Sequence, residues 1–230
     1  MSKIGITERG DAGLDLSWLD KLKTVKVDAA IAITKDPEKL LDIDIPDNVI
    51  IHCTITGLPS FWEPSAPVTS NALDAYNELI DKYGGEKVVL RVDPIIPYNP
   101  YLAIALDVLR KRRGRVRISF LDAYGHIRDR YLKKSRYDFD KWNGLHAPLD
   151  VRLKVLEYLT NEVGELEICG EPGIECTGCV SAIDMNIFGF ETEMNMKGQR
   201  NYCACLAEKV ELLSNRHPCK HNCLYCYWND

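Results

Sequence analysis

The sequence has no run of 18 apolar residues, which excludes a membrane-spanning helix. Its first stretch, MSKIGITERGDAG, lacks the apolar segment of a secretory signal, so the chain is expected in the cytoplasm. Positive charge is not in excess: 29 Lys and Arg face 34 Asp and Glu, a net charge of −5. That excludes a uniformly basic coat for nucleic acid and leaves a local basic patch open. No Gly-rich phosphate loop follows the first strand candidate, so a doubly wound dinucleotide-binding sheet lacks its signature. What is present is an ordinary globular composition, 46% apolar and 27% charged, in 230 residues. That length suffices for a large buried core.

Cysteine is the informative residue. Eight of the nine (Cys169, Cys176, Cys179, Cys203, Cys205, Cys219, Cys223 and Cys226) fall in the last 62 residues, and Cys53 stands apart. An odd number, clustered at one end of a chain without an export signal, argues against a disulfide framework and for a metal or iron–sulfur site.

The first two-thirds alternates between apolar runs and helical patterns. Strands are expected at Ile4–Thr7, Val27–Thr34, Val49–Thr56, Lys87–Val92, Arg115–Leu121 and Glu165–Cys169, nearly continuous in Val and Ile as strands buried on both faces are. Helices are expected at Asn71–Tyr83, with Asn71 as cap, Leu73, Tyr76 and Ile80 on one face and Gly84-Gly85 as stop, and at Tyr101–Arg113. A third is expected at Pro148–Asn161, with Leu149, Leu153 and Leu156 as its apolar stripe. Strand–helix repetition implies a parallel sheet with right-handed crossovers. The fold class is therefore α/β, a partial (β/α) TIM-type barrel over residues 1–169, although an open doubly wound sheet is not excluded. Residues 170–230 read as an irregular Cys-rich segment closing the barrel mouth within one compact unit, with one short helical candidate at Leu206–Ser214. With little apolar periodicity, that segment needs metal–thiolate bonds as a source of order.

The sharpest motif is Cys219-Lys-His-Asn-Cys223-Leu-Tyr-Cys226, a C-x3-C-x2-C run. Three thiolates leave one iron of a [4Fe–4S] cube without a protein ligand, free to chelate the amino and carboxylate groups of S-adenosylmethionine. The competing reading is a zinc knuckle using Cys with His217 or His221, but zinc sites favour C-x2-C or C-x4-C pairs and close at four ligands.

This spacing, with Tyr225 before the third cysteine and Tyr227 after it, resembles the radical SAM signature. Ile33-Thr34-Lys35-Asp36-Pro37, Glu63-Pro64 and Val92-Asp93-Pro94-Ile95-Ile96-Pro97 resemble the spore photoproduct lyase-like branch. Nearly the whole chain resembles the family of unknown function DUF1848. The resemblance runs through Gly85–Pro94, Ile118–Tyr124, Cys169-Gly170-Glu171, Gly198-Gln199-Arg200 and Cys203-Ala204-Cys205. The chain departs from the family at Thr7-Glu8-Arg9-Gly10-Asp11, where members show a Ser-Arg-Arg-Thr-Asp-like stretch, and at Leu212–Arg216, in place of an Asp-Ile-Gly stretch.

The resemblance implies reductive cleavage of S-adenosylmethionine to a 5′-deoxyadenosyl radical, an unknown substrate (nucleic acid or small molecule), and an electron donor such as a flavodoxin or ferredoxin. Because the cysteine loop ordinarily follows the first strand, it also implies a circularly permuted barrel. Chemistry at the C-terminal ends of barrel strands would gather Thr34, Lys35, Thr56, Arg91, Asp93, Asp122 and Glu171 around the cofactor. Of these, Arg91, Asp93 and Glu171 are the catalytic candidates; Thr34 and Lys35, with Tyr225, are the cofactor-binding ones. Cys219, Cys223 and Cys226 are the cluster ligands. Cys169, Cys179, Cys203 and Cys205 match the family pattern as a second site, iron–sulfur or zinc, while Cys53 and Cys176 look extra.

Residues 110–136 hold eleven basic and two acidic residues, +9 against −14 for the rest. Such a stretch could attract phosphate backbones. It supports one alternative, a zinc-stabilised nucleic-acid-binding module; another is a non-catalytic iron–sulfur protein that transfers electrons or senses redox state. His52, His126 and His146, and the four tryptophans, are expected to pack.

Overall fold

Strands rich in Ile, Val and Ala are shielded on both faces inside a parallel sheet covered on two sides. In the computed structural model, which describes residues 3–135, 142, 144–190, 202–206, 209–213 and 219–228, every residue of β1 (Ile4–Ile6), β2 (Ala29–Thr34) and β3 (Val49–Thr54) is buried. With β4 (Val88–Ile95), β5 (Val116–Phe120), β6 (Glu167–Ile168) and β7 (Lys209–Glu211), they form one sheet in the order β6-β5-β4-β3-β2-β1-β7. All six pairings are parallel. The sheet curls into a half-barrel.

Side-chain alternation sorts the two faces. Val88, Leu90 and Val92 of β4 point toward the helices, where Tyr76 and Leu79 of α2 (Thr69–Tyr83), Leu106 and Leu109 of α3 (Tyr101–Leu109) and Leu159 of α5 (Leu149–Val163) complete the larger core. Ile4, Ile6, Ile31, Ile33, Ile50 and Val89 point the other way, into the half-barrel, and pack on Cys179, Val180, Met185, Cys205 and Leu206. The Cys-rich segment thus covers the inner face that a half-barrel leaves without opposing strands. Among the described residues, no helix is long and apolar enough to cross a membrane.

Four local expectations are corrected. The Leu206–Ser214 candidate is a strand over Lys209–Glu211, because Ile4, Gly5 and Ile6 offer it a free edge in parallel register; Ser214 lies outside the described residues. Helix α2 starts two residues earlier than expected, so Asn71 is inside it rather than capping it. Helix α3 stops at Leu109, a turn before Arg113. In α5, Leu149 and Leu153 are 42% and 45% exposed, and the buried stripe is Arg152, Val155, Leu159 and Val163. The buried arginine explains that error: its guanidinium reaches Glu171 Oε2 at 2.8 Å and the Ala147 carbonyl at 2.9 Å, so a charged residue occupies a core position. Helices α1 (Ser17–Thr24), α4 (Gly125–Lys134) and α6 (Ala182–Ile187) were not anticipated.

Candidate functional site

The C-terminal ends of β1 to β3 carry the side chains that receive the cysteine loop. Asp11, in the turn after β1, accepts from Thr34 Oγ1 at 2.7 Å and from the Lys35 backbone N–H at 2.7 Å, and His221 Nε2 lies 2.9 Å from its second oxygen. Burial pushes the Asp11 carboxyl up, but bonds from His221, Lys35 and Thr34 outweigh it and hold the group below the usual carboxylate range. Burial pulls His221 down, and Asp11 raises it above its ordinary value.

A second bracket stands beside it. Glu63 Oε1 accepts from Lys35 Nζ and Thr56 Oγ1, each at 2.7 Å, and from the Tyr225 hydroxyl. Burial alone would raise Glu63; the Lys35 charge brings it below the ordinary range. Lys35 Nζ also lies 5.3 Å from the Tyr225 ring centre, a cation–π contact. Leu224 N–H bonds the Trp62 carbonyl at 2.8 Å, and Arg130 donates to the Cys226 carbonyl. Thr34, Lys35 and Tyr225 are thus brought together, but Thr34 is buried and committed to Asp11.

Within the loop, Asn222 takes φ of 50° and its N–H bonds the Cys219 carbonyl, while Cys226 N–H bonds the Cys223 carbonyl. These two bonds make turns of the stretches between the three cysteines. Burial pushes Cys223 up to about 12, with Lys35 as the main opposing influence.

Arg91 and Asp93 pair with each other on the inner side of β4, both half-buried. Glu171 is placed differently. Its two oxygens accept from the Phe120 N–H at 2.7 Å and from Arg152, and it is 2% exposed. Burial is the main reason its carboxyl rises to about 7. It braces β5 against α5. Asp122 lies 2.7 Å from His146 Nδ1.

The other cysteines assemble deeper, on the inner face. Sγ atoms of Cys169, Cys179 and Cys205 all lie within 4.8 Å of one another. Cys203 Sγ adjoins at 2.8 Å from Cys205 Sγ. Backbone bonds lace the three ligand segments together: Gly178 N–H to the Ile168 carbonyl, and Leu206 N–H to the Val180 carbonyl. Gly178 has φ of 85°, and a Cβ there would lie 2.7 Å from the Ala204 backbone, so this approach requires glycine. Thiol-to-thiol hydrogen bonds bring Cys203 and Cys205 down to about 7 and drive Cys169 up. Cys53 is fully buried in the helix-side core, and Cys176 bonds the Glu171 backbone.

Beneath this group, Arg117 is fully buried. It pairs with Glu167 and with Asp184 at 3.2 Å, and donates to the Cys179 carbonyl at 2.8 Å. His52 Nε2 lies 3.2 Å from Arg117, and burial, with the arginine, depresses its basicity strongly. Sequence reasoning missed Asp11, Glu63 and Arg117 as supporting residues. Asp11 was marked only by its place in the stretch that departs from the family, and His221 only by its place between cysteines.

Part of the basic stretch is engaged in pairs, while Arg110, Lys111, Arg113, Lys133 and Lys134 are exposed. Arg110 pairs with Glu162, Arg113 with Asp81, and Arg115 with Glu167 and Asp184; Arg112 and Arg128 bond backbone carbonyls. Trp18, Trp62 and Trp142 are buried, and Trp228 is exposed under Arg9. Arg136, Gly198-Gln199-Arg200 and His217 lie outside the described residues.

No curated protein and no solved structure matches this chain. A family model does, over residues 19–228, and the chain belongs to that family, described as a domain of unknown function, DUF1848.

Proposed function

We propose that this chain is a radical S-adenosylmethionine-type enzyme holding a [4Fe–4S] cluster on Cys219, Cys223 and Cys226. The observation that carries the reading is the position of the C-x3-C-x2-C loop over the C-terminal ends of parallel strands, where barrels of this kind do their chemistry. The donor set fits a cube with one iron left to a non-protein ligand. The strand order supports a permuted barrel: β7, which precedes the loop, lies parallel to β1 on its outer side. The strand before the cysteine loop is thus first in the sheet although last in the chain.

When bound, such a cluster supplies one electron to the sulfonium of S-adenosylmethionine, whose cleavage gives methionine and a 5′-deoxyadenosyl radical that takes hydrogen from a substrate. The chain's own groups do the holding. Lys35 places positive charge near Cys219 and Cys223 and opposes the rise that burial gives their thiols. Asp11–His221 and Glu63–Tyr225 fix the loop on the strand ends. Arg91 and Asp93, on the inner side of β4, are the polar pair we assign to ligand binding; Glu171 holds their neighbour β5 in place. A small electron carrier of the flavodoxin or ferredoxin class is the implied reductant.

Anaerobic reconstitution with iron and sulfide, reduction, and quantification of 5′-deoxyadenosine test the proposal. The expected result is product from the reconstituted chain and none after Cys219, Cys223 and Cys226 are replaced together by Ala. Undiminished product from that variant overturns it, as does a wild-type loop that takes zinc instead of iron.

A further inference from the structure

The inner cysteines carry an inference independent of that reading. Cys169 directly follows β6, and Cys205 stands four positions before β7. β6 and β7 are the two edge strands of the seven-stranded sheet. We propose that Cys169, Cys179, Cys203 and Cys205 bind one zinc ion as four thiolates, and that this ion ties the two free edges of the half-barrel to each other.

Sulfur spacing selects a single ion. Zinc–sulfur bonds of about 2.3 Å in a tetrahedron set neighbouring sulfurs about 3.8 Å apart. Here three sulfurs lie within 4.8 Å of one another, with 3.1 Å between Cys179 and Cys205 and 2.8 Å between Cys203 and Cys205. A four-iron cube interposes iron and sulfide between its thiolates and needs a wider nest. A disulfide joins two sulfurs at about 2.05 Å and leaves the others without a role. Three soft thiolates within 4.8 Å of one another, with a fourth 2.8 Å from one of them, supply the ligands of a zinc donor set.

The surroundings suit the product. Four thiolates around a divalent ion carry two negative charges, and Lys209 Nζ lies 3.6 Å from Cys179 Sγ while Arg91 lies within the field of Cys169 and Cys179. The Cys179 N–H donates to Cys205 Sγ at 3.0 Å, the backbone-to-thiolate bond that orients a ligating sulfur. Binding forms four Zn–S bonds and releases the remaining thiol protons to solvent; no electron moves.

An unpaired strand edge exposes backbone donors and acceptors, and closed barrels remove that liability by pairing the first strand with the last. Among the described residues seven strands leave β6 and β7 as edges, and the ligands come from Cys169 beside β6 and from Cys179, Cys203 and Cys205 between the two strands.

The test uses the full chain with Cys219, Cys223 and Cys226 replaced by Ala, so that any metal belongs to the inner site. One zinc per chain and no acid-labile sulfide are expected. Cobalt substitution should give the near-ultraviolet charge-transfer and intense red bands of a four-thiolate tetrahedron. Adding Cys203→Ser should shift those bands and weaken zinc about tenfold or more in chelator competition. On the wild-type chain, zinc-edge X-ray absorption should show four sulfurs at about 2.3 Å. Iron with matching sulfide in the triple variant overturns the proposal, as does a Cys179–Cys205 disulfide without metal or a cobalt spectrum indifferent to Cys203→Ser. None of these outcomes depends on cleavage of S-adenosylmethionine, so the two proposals fail separately.

Discussion

The mouth loop and the inner cysteine group use the same side chain under opposite constraints. In the inner group, sulfurs touch sulfurs, and the thiols themselves are the main partners. In the mouth loop, the residues between the cysteines make the contacts: His221 to Asp11, Leu224 to Trp62, Tyr225 to Glu63. The inner group is arranged to close on its own occupant. The loop is held from outside, through the side chains and backbone that lie between its cysteines. Ligand count alone does not make that distinction; the neighbours of the ligands do.

Five experiments break or sharpen this contrast. Replacing Cys219, Cys223 and Cys226 by Ala should abolish 5′-deoxyadenosine formation while the unfolding free energy changes by less than about 2 kcal/mol, because the anchoring bonds of His221, Leu224 and Tyr225 remain; product assay and urea denaturation read the two arms. Cys205→Ala should do the reverse to the fold, lowering stability by at least about 3 kcal/mol, because metal binding free energy at a structural site is folding free energy. Chelator treatment of the wild-type chain should move the denaturation midpoint the same way. Asp11→Asn removes the charge facing His221 and should loosen the loop by about 2 kcal/mol, as for a hydrogen bond to a charged partner. Faster protease cleavage within 219–228, with an unchanged inner metal, would confirm it. Tyr225→Phe deletes one bond to Glu63 and should cost about 1 kcal/mol, read as a small rise in the concentration of S-adenosylmethionine needed for half-maximal cleavage.

Strand periodicity located β1 to β6 within a few residues, because Val- and Ile-rich runs buried on both faces leave little else to choose. β7 was not legible: three residues in a polar stretch become a strand only because β1 has a free edge. The α5 stripe failed for a related reason. Leu149 and Leu153 look like core and Arg152 does not, until Glu171, nineteen residues on, supplies the partner that makes burial of the guanidinium tolerable. Cysteine spacing marked the C-x3-C-x2-C run, and the family pattern named Cys169, Cys179, Cys203 and Cys205, three of which lie within 4.8 Å of one another. It could not show that Asp11 and Glu63 anchor the loop, since those contacts span 210 and 162 residues.

Pairing of β7 with β1 has a consequence for how the molecule assembles. Ile4 and Lys209 are register partners 205 residues apart (209 − 4), whereas β1 to β6 are joined neighbour to neighbour along the chain. Contacts of such long sequence separation form slowly, and during synthesis the earlier elements fold first. Six strands and their brackets, Asp11 and Glu63 among them, are therefore in place before β7 adds to the edge. The three thiols that follow β7 reach a finished docking surface, which shortens the time they spend exposed to oxidants and to stray metal.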